Sequence, residues 1–264
     1  MSTVRSRSRS TSATTTPISS PDLEALREDA SSAGILLDFD GSLSEIVARP
    51  ELARPVDGAR EVLAALAGRY RLVGIVTGRR SEEVAALLDV PHLRYFGLYG
   101  LESEDEAPEL VAAVAPLVRS ASSVVPQAWV EDKGASVAVH YRQASDPVAA
   151  RAALLVALQP IATDGGLRLI EGKMVLELVP PDRPLKGGAV ERLAGEHALK
   201  AVLYAGDDHA DLDAFAALDR LARRGIDTVK VAVRGPETPA ALVDEADVVV
   251  DGPLGLVALL GQLV

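Results

Sequence analysis

Short unbroken apolar runs alternate with stretches of helical period along the first hundred residues. GILLDF (34–39) reads as a buried strand, VDGAREVLAALAGRY (56–70) as a helix, and RLVGIVTG (71–78) as a second strand. SEEVAALLD (81–89) follows as a helix with Ser81 as N-cap, and LRYFGLYG (93–100) as a third strand with its loop. Continuous apolar strands alternating with helices predict a parallel sheet covered on both faces. From about residue 108 the period changes. A helix over 108–125 precedes AWVEDKGASVAVHYR, two alternating strands around Lys-Gly. A second helix over 145–159, opened by Ser or Asp with Pro in its first turn, leads into LRLIEGKMVLELVP, a second hairpin. The two helix–hairpin units look like a weak internal repeat. The parallel pattern resumes with AVLYAGDD (201–208), TVKVAVRG (228–235) and ADVVVDG (246–252). The fold expected is therefore α/β, a Rossmann-like parallel-sheet core interrupted by an α+β insert. The boundaries expected are a disordered tail over 1–20, a core of 21–107 and 184–264, and an insert of 108–183. Pro180, Pro181 and Pro184 stand at the return crossing, where a hinge is expected.

In such a sheet, ligands bind outside the carboxyl ends of the strands. Polar clusters fall at three of those ends: Asp38 and Asp40, then Thr77-Gly78-Arg79, then Asp207-Asp208 with Asp211. Lys186 heads a further helix. Side chains two apart on a strand share a face, so Asp38 and Asp40 are expected to lie close together and repel. A divalent cation held by Asp38, Asp40 and Asp207 offsets that repulsion and neutralises an incoming phosphoryl group. Hard oxygen donors suit Mg²⁺. One acid can then attack phosphorus to form an aspartyl-phosphate, while the other serves as general acid and then base. Thr77 and Lys186 would hold phosphoryl oxygens, with Gly78 and Arg79 beside them. Each cluster alone has a plainer reading as a turn, a cap or a solvated charge. DxD alone also fits a sugar-nucleotide metal site, but a glycosyltransferase leaves Lys186 and GDDHAD unexplained.

Composition narrows the field. A net charge of −11 argues against nucleic acid as the main partner, because phosphate backbones require a basic face. No cysteine is present, which excludes disulfides, thiolate metal sites and a cysteine nucleophile. No apolar run reaches a membrane span. The opening MSTVRSRSRSTSATTTPISSP lacks an apolar segment, so it reads as a tail rather than a secretory signal. A cytoplasmic monomer with a small-molecule substrate is expected.

The motifs DFDGS (38–42), TGR at Thr77, Lys186 and GDDHAD (206–211) resemble, in order, those of the haloacid dehalogenase-type phosphohydrolases. Within that superfamily GLYGLE (97–102), VEDKGASVAVHYR (130–142), EGKMVLELVPPDRPLKGGAV (171–190) and GDDHADLDAF (206–215) are similar to the trehalose-6-phosphate phosphatases. The resemblance implies a core with a C2-type cap and hydrolysis of trehalose 6-phosphate in trehalose biosynthesis. It implies Asp38 as nucleophile and Asp40 as acid/base. It also implies Mg²⁺ on Asp38, the Asp40 carbonyl and Asp207, with Asp208 orienting a metal-bound water. Glu131, Lys133 and Glu177, with Arg142, match cap residues that reach sugar hydroxyls. Another phosphorylated sugar, sucrose 6-phosphate or a glycosyl-phosphoglycerate, is the nearest rival substrate, and a non-catalytic sugar-phosphate sensor is the rival of a different class. Ser42 replaces the commoner Thr, and Leu212 stands where many relatives carry an acid. His140 reads as a polar strand position, and Trp129 as cap core.

Overall fold

The computed structural model describes residues 23–100, 108–181 and 185–264. The expected tail, the 101–107 stretch and the hinge at Pro184 lie outside them. The larger sheet has six strands in the order β10-β9-β8-β1-β2-β3, all parallel. These are β1 (Ala33–Leu37), β2 (Leu72–Val76), β3 (Arg94–Phe96), β8 (Ala201–Gly206), β9 (Asp227–Arg234) and β10 (Val248–Asp251). Strand β1 is fully buried along its length because alternate residues enter different cores. Ile35 and Leu37 pack with Leu63 and Leu66 of α2 (Ala59–Ala67) and Leu256 and Leu260 of α9 (Gly252–Leu260). Leu36 packs on the opposite face with Val190 and Leu193 of α6 (Lys186–Glu196) and Phe215 and Leu218 of α7 (His209–Ala222). Burial on both faces explains why the strand reads as an apolar run rather than an alternation.

The smaller sheet is antiparallel, with the order β4-β5-β7-β6. Its strands are β4 (Trp129–Asp132), β5 (Val137–His140), β6 (Arg168–Gly172) and β7 (Val175–Val179). Val137, Val139, Leu176 and Leu178 point into a core made with α4 (Pro108–Ser122) and α5 (Pro147–Asp164). The other face carries Trp129, Glu131, His140 and Glu177, since successive side chains alternate. Each helix–hairpin unit contributes one edge strand and one central strand, and the two units meet where β5 pairs with β7.

Two expectations needed revision. Helix α5 continues through Pro160 to Asp164 instead of stopping at 159. Its buried stripe of Leu154, Leu158 and Ala162 continues past the proline, so packing outweighs the lost backbone bond. Strand β3 ends at Phe96 and its loop follows as expected, folding back so that Leu98 N donates to Arg79 O at 2.8 Å and Tyr99 N to Thr77 O at 2.8 Å. Ser81 is the first residue of α3 (Ser81–Leu88) rather than its cap, its Oγ accepting from Gly97 N at 2.8 Å. By contrast Asp146 caps α5 as expected, accepting from Val148 N and Ala149 N, with Pro147 following.

Candidate active site

Strand order changes direction around β1: its neighbours are β2 on one side and β8 on the other. The crevice at such a switch point opens beyond the carboxyl ends of these strands. The register pairs Leu37 with both Ile75 and Ala205. Asp38, Thr77 and Asp207 therefore leave the sheet side by side.

Asp38 is buried and tied down. Its backbone N donates to Ala205 O at 2.9 Å, and its Oδ1 accepts from Lys186 Nζ at 2.7 Å. Lys186 also donates to Asp211 Oδ1 at 2.7 Å. Asp211 takes two more classes of donor: Tyr204 OH at 2.7 Å on Oδ1, and the backbone N–H groups of Asp207 and Asp208, each at 2.8 Å, on Oδ2. Burial alone would lower the Lys186 ammonium, but the charges of Asp211 and Asp38 outweigh it and hold it well above the ordinary lysine value. Burial pushes the Asp38 carboxyl up to about 7 against the pull of Lys186, with Asp211 adding to the rise. Oxygens of Asp38, Asp207 and Asp211 lie within 4.8 Å of one another.

Glycine is required twice here. At Gly41, φ is +88° and a Cβ would fall 1.9 Å from Asp207 Oδ2. At Gly206, a Cβ would fall 2.2 Å from the Asp211 Cγ. The strand ends at Leu37, yet Asp38 and Asp40 both face the same cleft, and the charge of Asp40 adds to the rise in the Asp38 carboxyl, in line with the expected repulsion. Asp40 turns to Arg79, which donates to both carboxylate oxygens, from Nε at 2.6 Å and Nη2 at 2.7 Å. Arg79 is anchored in turn by Nη1 donating to Pro50 O at 2.9 Å.

The polar face of the small sheet roofs this floor. Asp38, Asp40, Thr77, Gly78, Arg79 and Lys186 line a cleft of about 180 Å³, as do Glu131, Lys133, Arg142 and Asp208 from above and beside it. Glu177 lines the adjoining cavity, into which Lys133, His140 and Lys186 also reach. Asp207 lies just beneath. Lys133 Nζ donates to Gly78 O at 3.2 Å and lies 3.4 Å from Glu177 Oε2, while Ser136 Oγ donates to Glu177 Oε1. Two of the predicted residues also make contacts within the protein. Arg142 pairs with Glu237 of the large-sheet half through bonds of 2.6 and 2.8 Å, and also donates to Lys173 O. Asp208 caps α7 by accepting from His209 N at 2.6 Å.

Lys173, at the turn between β6 and β7, was not anticipated. Its ammonium donates to Asp207 Oδ2 although burial pulls its pKa down. No periodicity predicts a contact between two sheets, so only the tertiary fold discloses it. Asp211 and Tyr204 were also absent from the predicted ligand set. The Asp208-x-x-Asp211 spacing is an acidic capping box, with both reciprocal bonds made, and that signal was legible. Leu212, where relatives often carry an acid, packs into the apolar layer around Phe215.

A sequence profile of the trehalose-phosphatase family matches residues 36–244. The chain belongs to the trehalose-phosphatase family. The trehalose-phosphate phosphatase of Mycobacterium avium (strain 104) is 36% identical over 203 residues, covering 70% of this chain and 51% of its own length. An uncharacterised glycosyl hydrolase of Mycobacterium tuberculosis (strain H37Rv) is also 36% identical over 203 residues, which is 70% of this chain and 15% of that protein. The chain thus spans about half, or less, of the length of these curated relatives. The C-terminal domain of the C. albicans trehalose-6-phosphate phosphatase superposes with a TM-score of 0.77 at 20% identity, covering 92% of this chain and 95% of that one. This trehalose-phosphatase family member therefore has the haloacid dehalogenase-type α/β fold with a cap, the cap being the antiparallel unit. Among the described residues, no helix is long and apolar enough to cross a membrane.

Proposed function

We propose that this chain hydrolyses trehalose 6-phosphate to trehalose and inorganic phosphate, within trehalose biosynthesis. The observation that carries the reading is the pairing of floor and roof: a buried Asp38–Lys186 contact of 2.7 Å faces a cap surface bearing Glu131, Lys133 and Glu177. Family membership supports the substrate. Core segments 21–107 and 184–264 supply the chemistry, and the cap, 108–183, supplies sugar selection.

Asp38 is the nucleophile: an ionised Oδ attacks phosphorus as the bond from phosphorus to the ester oxygen breaks. Asp40 donates a proton to that oxygen, releasing the sugar, and then takes one from the water that attacks the aspartyl-phosphate. The water's oxygen leaves in the phosphate, and Asp38 is restored. Arg79 holds both Asp40 oxygens before substrate enters, so proton delivery requires that pair to part. Thr77 and Gly78 line the phosphate end with Lys186, which balances charge on Asp38. Glu131, Lys133 and Glu177 hydrogen-bond sugar hydroxyls, and Arg142 is released toward substrate from Glu237.

The donor set fits a hard divalent cation. The clustered oxygens of Asp38, Asp207 and Asp211 are all buried, and the two lysines that reach them leave the cluster net negative. Mg²⁺ would be held by Asp38, the Asp40 carbonyl and Asp207, with Asp208 through water, and would neutralise phosphoryl charge there. The −11 charge supports a small substrate over nucleic acid. We further propose that the chain acts as a cytoplasmic monomer.

Phosphate release measured across trehalose 6-phosphate, sucrose 6-phosphate and a glycosyl-phosphoglycerate tests the reading. The expected result is preference for trehalose 6-phosphate by at least about tenfold in kcat/KM, with all turnover lost in excess EDTA. Preference for another sugar would replace the substrate. Binding without turnover would make the chain a sensor, and activity undiminished by EDTA would remove the cation.

A further inference from the structure

Two residues of the cap roof, Trp129 and His140, have no part in the reaction above. Trp129 and His140 are direct partners in the β4–β5 ladder. Their rings stack with centroids 4.0 Å apart and planes 7° from parallel. Glu131, two residues beyond Trp129, lies diagonally across from His140 on the same face. The His140 Nε2 is 2.8 Å from Glu131 Oε2. Side-chain exposure is 18% for His140 and 28% for Glu131, so both are shielded yet reach the cleft that Asp38 floors.

Each contact removes a freedom the next would otherwise have. The indole fixes the plane of the imidazole, and the imidazole N–H fixes one carboxylate oxygen. The carboxylate of a glutamate turns about three torsions, and ordering such a side chain costs conformational entropy. A group that must meet sugar hydroxyls gains by having that ordering done before the substrate arrives.

We propose that His140, held by Trp129, is a positioning residue that sets the Glu131 carboxylate for a sugar hydroxyl and so governs discrimination between sugar phosphates and sugarless phosphate esters. This rests on the reading that Glu131 meets the sugar. Burial alone would raise the Glu131 carboxyl. The His140 hydrogen bond, with the charges of Lys133 and Arg79, outweighs it and holds the group below its usual range. It is therefore kept ionised as an acceptor for hydroxyl donors.

The test compares kcat/KM for the sugar phosphate the wild type prefers with that for p-nitrophenyl phosphate, a sugarless monoester. His140→Phe keeps a flat ring on Trp129 and loses the donor; His140→Gln restores a donor. His140→Phe is expected to lower sugar-phosphate kcat/KM about tenfold, mainly through KM, and to leave the sugarless ester within about twofold. His140→Gln is expected to recover most of the loss, and His140→Phe to add nothing in a Glu131→Gln background. A wild type that does not prefer any sugar phosphate over the sugarless ester overturns the substrate reading itself. A preference that Glu131→Gln abolishes but His140→Phe leaves intact overturns the positioning role alone. So does an equal loss on both substrates, which marks a purely structural residue.

Discussion

The floor of the cleft and its roof use charge in opposite ways. On the floor, Lys186, Asp38, Asp207 and Asp211 are at most 5% exposed and are locked by short bonds to one another, to Tyr204 and to the backbone. On the roof, Glu131, Lys133 and His140 keep some access to solvent, with Lys133 only 3.4 Å from Glu177 while His140 holds Glu131 at 2.8 Å. Bonds in a dry interior gain strength, and loss of one partner strands a charge. The floor is built for chemistry that tolerates little displacement, and the roof for contacts that can be exchanged. Changes on the floor should therefore stop the reaction for every substrate, whereas changes on the roof should alter which substrate is chosen.

The largest effect expected is from Asp38→Asn, which removes the proposed nucleophile. Turnover of both sugar phosphate and p-nitrophenyl phosphate should fall at least ~10³-fold, with an unchanged far-ultraviolet circular dichroism spectrum. Normal turnover with either substrate would dissolve the contrast. Lys186→Met should come next. It leaves Asp38 and Asp211 buried without their cation, so chemical denaturation should register a loss of about 3–5 kcal/mol, and both substrates should slow together. Glu177→Gln sharpens the comparison from the other side. It weakens the contacts with Lys133 and Ser136, and KM for the sugar phosphate should rise about tenfold while the sugarless ester is unaffected. Equal slowing of both would place Glu177 functionally with the floor.

The smallest effect is a pH dependence of stability. Burial raises Asp38 to about 7 in the metal-free fold, above the unfolded value near 4. The protonated form is therefore the one the fold favours. Its stabilising contribution is complete below the unfolded value and is lost as pH rises through about 7. The melting temperature of the metal-free wild type should accordingly fall by several degrees between pH 5 and 8, and Asp38→Asn should flatten that fall. An identical slope in the two proteins would remove Asp38 as its source.

Much of the floor was legible before the coordinates. Apolar runs marked β1, β2 and β8, and the rule for parallel sheets then placed Asp38, Thr77 and Asp207 at one rim. Lys186 was legible through its place ahead of a helix and through the family resemblance. The fate of Asp40 was legible only in part: its place near Asp38 was expected, but its two-bond clamp by Arg79 depends on side-chain torsions that the strand rule does not give. Lys173 was hidden for a different reason. It is 34 residues from Asp207 and in another sheet, so neither periodicity nor spacing connects them. On the roof, strand alternation puts Trp129, Glu131 and His140 on one face, against the reading of Trp129 as cap core. What it could not give was the diagonal hydrogen bond, which depends on the side-chain torsions and on strand twist.

Lys173 and Lys186 act as built-in counter-ions for the acids at the bottom of the cleft. On the proposed reading, withdrawal of the divalent ion should cost this chain its turnover while these internal pairs keep the buried acids compensated.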